Sequence, residues 1–226
     1  MVSETAGPSQ LALAASYASS SPRAVFFPYR YMEGAIHYNE MFPDVELYLL
    51  GGRNSASEIN NEFIFVQSHT ELDLYRAALS SFYLADGKDI LLMSGEAIPD
   101  SYKAIFNLAI EENSYTGSVS YIENEDQLTT IADFGCIILL GFSTSLLIED
   151  LSIPLILFSW INPEFTPRSL RIIFDDSPWA IARDVLNSSA SAGEEILIPS
   201  FPLLLINRME KFTDFFEFSQ LLKEKF

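Results

Sequence analysis

The sequence predicts an α/β protein: an open, mostly parallel Rossmann-like sheet with helices on both faces. Two observations carry this. Short apolar runs such as Ile90-Leu91-Leu92-Met93 and Cys136-Ile137-Ile138-Leu139-Leu140 are continuous and not alternating, the pattern of strands covered on both sides. Between such runs lie segments whose apolar residues recur every three or four positions, so strand and helix alternate as they do in βαβ units.

The elements follow in order. Met1 to Arg23, rich in Ser and Ala, shows no sustained period and reads as a mobile tail. Ala24 to Phe27 is the first strand run, Tyr31 to Met41 has room for one or two helical turns, and Val45 to Leu50 is a second run stopped by Gly51-Gly52. Phe63 to Val66 is the third. Glu71 to Leu84 carries Leu72, Tyr75, Leu79 and Phe82 at helical spacing, with Thr70 as the expected N-cap and Asp86-Gly87 as the stop. Strand Ile90 to Met93, helix Asp100 to Glu112, strand Ser118 to Ile122 and a short helix Asn124 to Ala132 come next. Cys136 to Leu140, Ser143 to Asp150 and Pro154 to Phe158 read as strand, helix, strand. Beyond the loop Asn162 to Pro167, Leu170 to Phe174 is a strand and Ser177 to Leu186 a helix with Pro178 in its first turn. Ser188 to Glu195 is a polar loop. Pro199 to Leu205, with two prolines, is extended chain at a sheet edge, and Phe212 to Phe226 a closing helix. The domain reading is one α/β domain over 24–226, with 24–62 open to a second reading as the end of a first Rossmann domain.

Charge and composition exclude several function classes. Of 226 residues 49% are apolar, and 31 acidic against 13 basic side chains give a net charge of −18, so the chain is no disordered acidic tail. That charge repels nucleic acid and anionic membranes, and neither is expected as a partner. Cys136 stands alone inside a strand run and reads as a small core side chain. His37 and His69 are the only histidines, too few for a zinc centre, and no metal or cofactor is expected. No apolar segment reaches the roughly 18 residues that a membrane helix needs. The run Leu11 to Ala15 has no basic residue before it and is too short for a signal peptide, so the expected compartment is the cytosol.

Parallel sheets bind ligands outside the carboxyl ends of their strands, and three loops there carry chemistry. Gly141-Phe142-Ser143-Thr144-Ser145 joins a buried strand to a helix start. Its glycine allows close approach, and the hydroxyls and free N–H groups of Ser143, Thr144 and Ser145 suit a phosphate or carboxylate. Gln67-Ser68-His69-Thr70 occupies an equivalent position, with His69 the one imidazole beside a candidate pocket. Ser94-Gly95-Glu96 offers a carboxylate able to act as acid, base or hydroxyl acceptor. Each loop also has a plain structural reading, as helix cap or solvated turn.

A resemblance sharpens these loops. Phe63-Ile64-Phe65-Val66-Gln67, Glu123-Asn124-Glu125-Asp126-Gln127-Leu128 leading to Ile131-Ala132-Asp133, and above all Gly141 to Glu149 followed by Ser152-Ile153-Pro154-Leu155-Ile156, carry it. Together with Asp175-Asp176-Ser177-Pro178, this order resembles the C-terminal, nucleotide-sugar-binding half of GT-B glycosyltransferases. Within that class it is most similar to bacterial sialyltransferases and polysialyltransferases. The resemblance covers about half the chain. It implies that Ser143, Thr144 and Ser145 receive the donor's phosphate; a transferase reading adds Gly141, Gln67 and Ser68 to that site and has Glu96 or His69 deprotonate the acceptor. Those families carry a His-Pro or basic motif after the strand matching Ile90 to Met93, where this chain has Ser94-Gly95-Glu96. Two functions therefore stand open. One is a transferase using a nucleotide-sugar donor; the other is a non-catalytic binding or scaffolding subunit of the same fold, with a protein partner or a second copy.

Overall fold

A computed structural model describes residues 22–51, 63–123, 131, 133–141, 152–158, 168–175, 178–186 and 191–204. The protein is α/β, and its strands lie in two separate sheets that belong to two compact units. The first unit takes the chain up to His69 and again from Pro178 to Ile198; the second takes Thr70 to Ser177 and the chain from Pro199 onward. The sequence reads as one domain over 24–226 because strand–helix alternation runs through it without a break. The division depends on non-local pairing, which no local pattern encodes.

In the first unit, β1 (Ala24–Pro28), β2 (Glu46–Leu50), β3 (Ile64–Ser68) and β9 (Glu195–Ile198) form a parallel sheet in that order. Helix α1 (Met32–Met41) places Ala35 and Tyr38 against Phe27, Leu47, Leu49, Phe63 and Phe65. Alternate residues of the same strands, Tyr48, Leu50, Ile64 and Val66, face the other way and meet Ile181 and Val185 of α4 (Pro178–Val185) together with Ile198. Helices thus cover both faces. The sequence reads Ser188 to Glu195 as loop, whereas β9 starts at Glu195; its short length and leading acid hide it. Gly193, at φ +87°, turns the chain so that Glu194 O accepts the Phe65 N–H at 2.9 Å, and the pairing starts there.

In the second unit, β4 (Ile90–Ser94), β5 (Val119–Ile122), β6 (Cys136–Gly141), β7 (Leu155–Phe158) and β8 (Leu170–Asp175) are parallel in the spatial order β5-β4-β6-β7-β8. Among the described residues strand β10 (Phe201–Leu204), which contains Pro202, lies at the far edge, antiparallel to β8. Helices α2 (Thr70–Ala85) and α3 (Asp100–Asn113) bury Leu74, Ala77, Ala78, Phe106 and Ala109 on the face formed by Ile90, Leu92, Cys136, Ile138, Ile156, Phe158 and Phe174. Leu91, Met93, Ile137, Leu139, Leu155 and Leu157 fill the opposite face and are buried too. Cys136 is fully buried, and burial pushes its thiol well above the ordinary range. The helices expected over 124–132, 143–150 and 212–226 fall largely or wholly outside the described residues.

The amino end of this second sheet is a locked corner. Helix α2 stops at Asp86 (φ +51°) and Gly87 (φ +80°), as the Asp-Gly pair predicts. Asp89 then accepts both the N–H and the hydroxyl of Ser118 at 2.8 Å, and its backbone carbonyl accepts the Gly135 N–H at 2.8 Å. Tyr115 donates its hydroxyl to Lys88 O and stacks on Phe82 at 4.2 Å, and burial pushes its phenol up to about 12. At the start of α2 the fully buried Asp73 accepts the Ser200 N–H at 2.7 Å and the Ser200 hydroxyl at 2.6 Å, which fixes the chain as it enters β10.

Candidate functional site

The strand order of the second sheet reverses direction at β4. From β4 the chain goes to β5 on one side, then returns past β4 to β6 and continues through β7 and β8 on the other. In such a sheet the two crossover connections leave β4 and β6 in opposite directions, which opens a crevice at their carboxyl ends. Those ends are Ser94 and Gly141. They are register partners, and the ladder slips between Met93 and Ser94, so that Ser94 pairs with Gly141 instead of Leu140. The strands from which two of the three loops leave therefore end side by side.

The loop after β4 is folded back on itself. Ser94 Oγ accepts the Glu96 N–H at 3.2 Å, and the Glu96 side chain is exposed. Ile98, buried at the end of the loop, donates its N–H to Glu123 Oε1 at 3.2 Å. Glu123 directly follows β5, and the same oxygen lies 2.6 Å from Lys103 Nζ, one turn into α3. The Lys103 ammonium also stands 5.5 Å from the centroid of the Tyr121 ring. The hydrogen bond to Glu123 raises Lys103 above its ordinary value, and the bond from Lys103 holds Glu123 below the usual carboxylate range. Tyr121 is raised by burial, and its hydroxyl is buried without a hydrogen-bond partner among the described residues.

Gln67, Ser68 and His69 lie at the carboxyl end of β3 in the first unit. Gln67 Nε2 donates to Glu195 Oε1 across the β3–β9 pair, so that amide is already engaged. The helix expected to be capped by Thr70 begins at Thr70 itself; the residue before it, His69, donates its N–H to Ile198 O at 2.9 Å. Ser68 and His69 are partly buried, and both take part in further interactions. The two acid–base candidates are thus divided, His69 in the first unit and Glu96 in the second. Ser143, Thr144 and Ser145 lie outside the described residues.

Sequence reading missed Lys103, Glu123 and Tyr121 as members of this edge. A signal was present: Lys103 is the only Lys or Arg between Lys88 and Arg168. Its partner could not be found that way, because the ion pair needs β4 and β5 to be neighbours. Among the described residues no group of three His, Cys, Asp or Glu is placed to hold a metal ion, and no helix is long and apolar enough to cross a membrane.

No family model and no curated protein matches this chain. Among solved structures it is similar to a protein assigned as a LacI transcriptional regulator from Bacteroides fragilis, with a TM-score of 0.46 and 12% identity over 88% of this chain and 81% of that one. It is also similar to a periplasmic binding protein/LacI transcriptional regulator from Alkaliphilus metalliredigens complexed with D-xylulofuranose, with a TM-score of 0.39 and 12% identity over 87% of this chain and 80% of that one. Neither likeness carries what those proteins bind or regulate over to this chain.

Proposed function

We propose that the second unit is a binding module for a small anionic ligand, with a nucleotide-sugar as first candidate, held at the carboxyl ends of β4 and β6. The observation that supports it is the reversal of strand order at β4, with the register of β4 and β6 shifting just before Ser94 pairs with Gly141. The register shift leaves Leu140 without a register partner on β4, and Gly141 beside Ser94 brings no side chain to the place. The expected phosphate contacts from Ser143 to Ser145 belong to the segment that follows Gly141 directly.

Binding without transfer is the primary reading. A transferase needs a base beside the bound donor, and of the two candidates Glu96 belongs to the second sheet itself, in the loop after β4. Sugar transfer is the extension of the reading, with Glu96 taking the acceptor's proton. The setting proposed is the cytosol, with a protein partner or a second copy as the remaining component.

Calorimetric titration with cytidine and uridine nucleotides tests it. Saturable heat is expected, and its loss in Ser143→Ala combined with Ser145→Ala. No heat with any nucleotide at millimolar concentration removes the proposal. If sugar is also transferred, Glu96→Gln abolishes product while binding persists.

A further inference from the structure

Lys103 is the one cation the chain supplies between Lys88 and Arg168, and the fold brings it to the carboxyl end of the second sheet. What it meets there is a carboxylate from the chain itself. Glu123 Oε1 takes the Lys103 ammonium at 2.6 Å and the Ile98 N–H at 3.2 Å, while the Tyr121 ring lies against the ammonium. An ammonium set over an aromatic ring, next to a backbone N–H of the loop that follows β4, is a receptor for an oxyanion. Glu123 fills it from the adjacent strand. The pair is not sealed: the Lys103 and Glu123 side chains are 30% and 34% exposed. An ion pair this open to water contributes little to stability, so Glu123 can leave its seat at small cost, and water or a solute can reach Lys103.

We infer that Glu123 occupies, as an internal competitor, the seat for the oxyanion of a small ligand at the carboxyl end of β4, formed by Lys103 and the Ile98 N–H. The inference rests on the reading that the second unit binds its ligand at this end. It adds the chemistry of the missing anchor: a phosphate ester or a carboxylate whose oxygen accepts from both donors in place of Glu123. It also accounts for an edge that lacks a basic loop after Met93, since the cation comes from the first turns of α3.

The test is a titration of wild type and Glu123→Gln with cytidine monophosphate and, separately, with succinate. Glu123→Gln keeps the shape of the side chain and removes its charge; Glu123→Ala replaces it if the glutamine variant melts early. The variant is expected to bind one probe about three- to fivefold more tightly than wild type, the most that displacing a solvent-open ion pair can return. The probe that gains tells phosphate from carboxylate. The gain must vanish when Lys103→Met is added. It must also be absent from Asp100→Asn, which removes a charge that acts on Lys103 through space and leaves Glu123 seated. Equal affinity of wild type and Glu123→Gln overturns the competitor and leaves the binding reading standing. The same gain in Asp100→Asn reduces the effect to net charge and overturns it as well. Failure of both probes to bind any variant overturns the inference and the reading beneath it.

Discussion

Asp73 is the residue whose role the geometry defines most narrowly. It is fully buried, and each carboxylate oxygen accepts one hydrogen bond from Ser200, 127 positions away. Asp73→Ala leaves the Ser200 N–H without its partner in a buried place, and about 2–4 kcal/mol of stability should be lost in urea unfolding. Ser200→Ala removes only the hydroxyl donor and should cost less. Equal stability of Asp73→Ala and wild type would show that the contact is dispensable. Asp89 gives a prediction in pH. The Ser118 N–H, then the Ser118 hydroxyl, lower its carboxyl below the ordinary value. A carboxyl lowered in the folded state contributes stability above its unfolded value and loses it as the pH falls through the folded one. The melting-temperature gap between wild type and Asp89→Asn should therefore be full at neutral pH and close in acid. A gap that stays constant across that range would mean that the charge on Asp89 is not what Ser118 holds.

Among the elements, the turn between α2 and β4 and the strands beside it show how closely the amino end of the second sheet is fitted. A Cβ at Gly135 would lie 2.6 Å from Ala85 O and 2.8 Å from Ala85 Cα, and one at Gly117 would lie 2.5 Å from Lys88 O. These are backbone atoms and cannot swing aside. Gly135→Ala should cost about 1–3 kcal/mol by overpacking, read as a lower denaturation midpoint with unchanged slope. A midpoint equal to wild type would mean that the corner relaxes freely. The contrast with the carboxyl end is chemical: one end is closed by glycines and short hydrogen bonds, the other holds a register shift and a partly solvated ion pair.

Most elements were legible because burial writes itself into sequence. Ile90 to Met93 and Cys136 to Leu140 are apolar at every position, since both faces of each strand are covered. Strand β9 was not legible, because only Ile198 is buried among Glu195, Ile196, Leu197 and Ile198, and an exposed short edge lacks that signature. The loops at Ser94 and Gly141 could be named as candidates from their place after strands. That Ser94 and Gly141 are register partners, and that Gln67 to His69 belong to another sheet, depends on strand order. The Lys103–Glu123 pair was invisible for the same reason.

For the molecule as a whole, two units with separate sheets and cores mean that the proposed ligand site has a definite address in the second one. Binding there stabilises the folded state by mass action, so any ligand that raises the melting temperature of wild type should do so less in a variant with a damaged edge. Amide chemical-shift mapping tests the address most directly. When isotope-labelled protein is titrated with cytidine monophosphate, shifts should gather at Ser94 to Ile98, Glu123 and Gly141, and leave the corner around Asp89 and Gly135 in place. Spectra that stay unchanged at millimolar ligand, or that move only at the amino end of the strands, contradict the account.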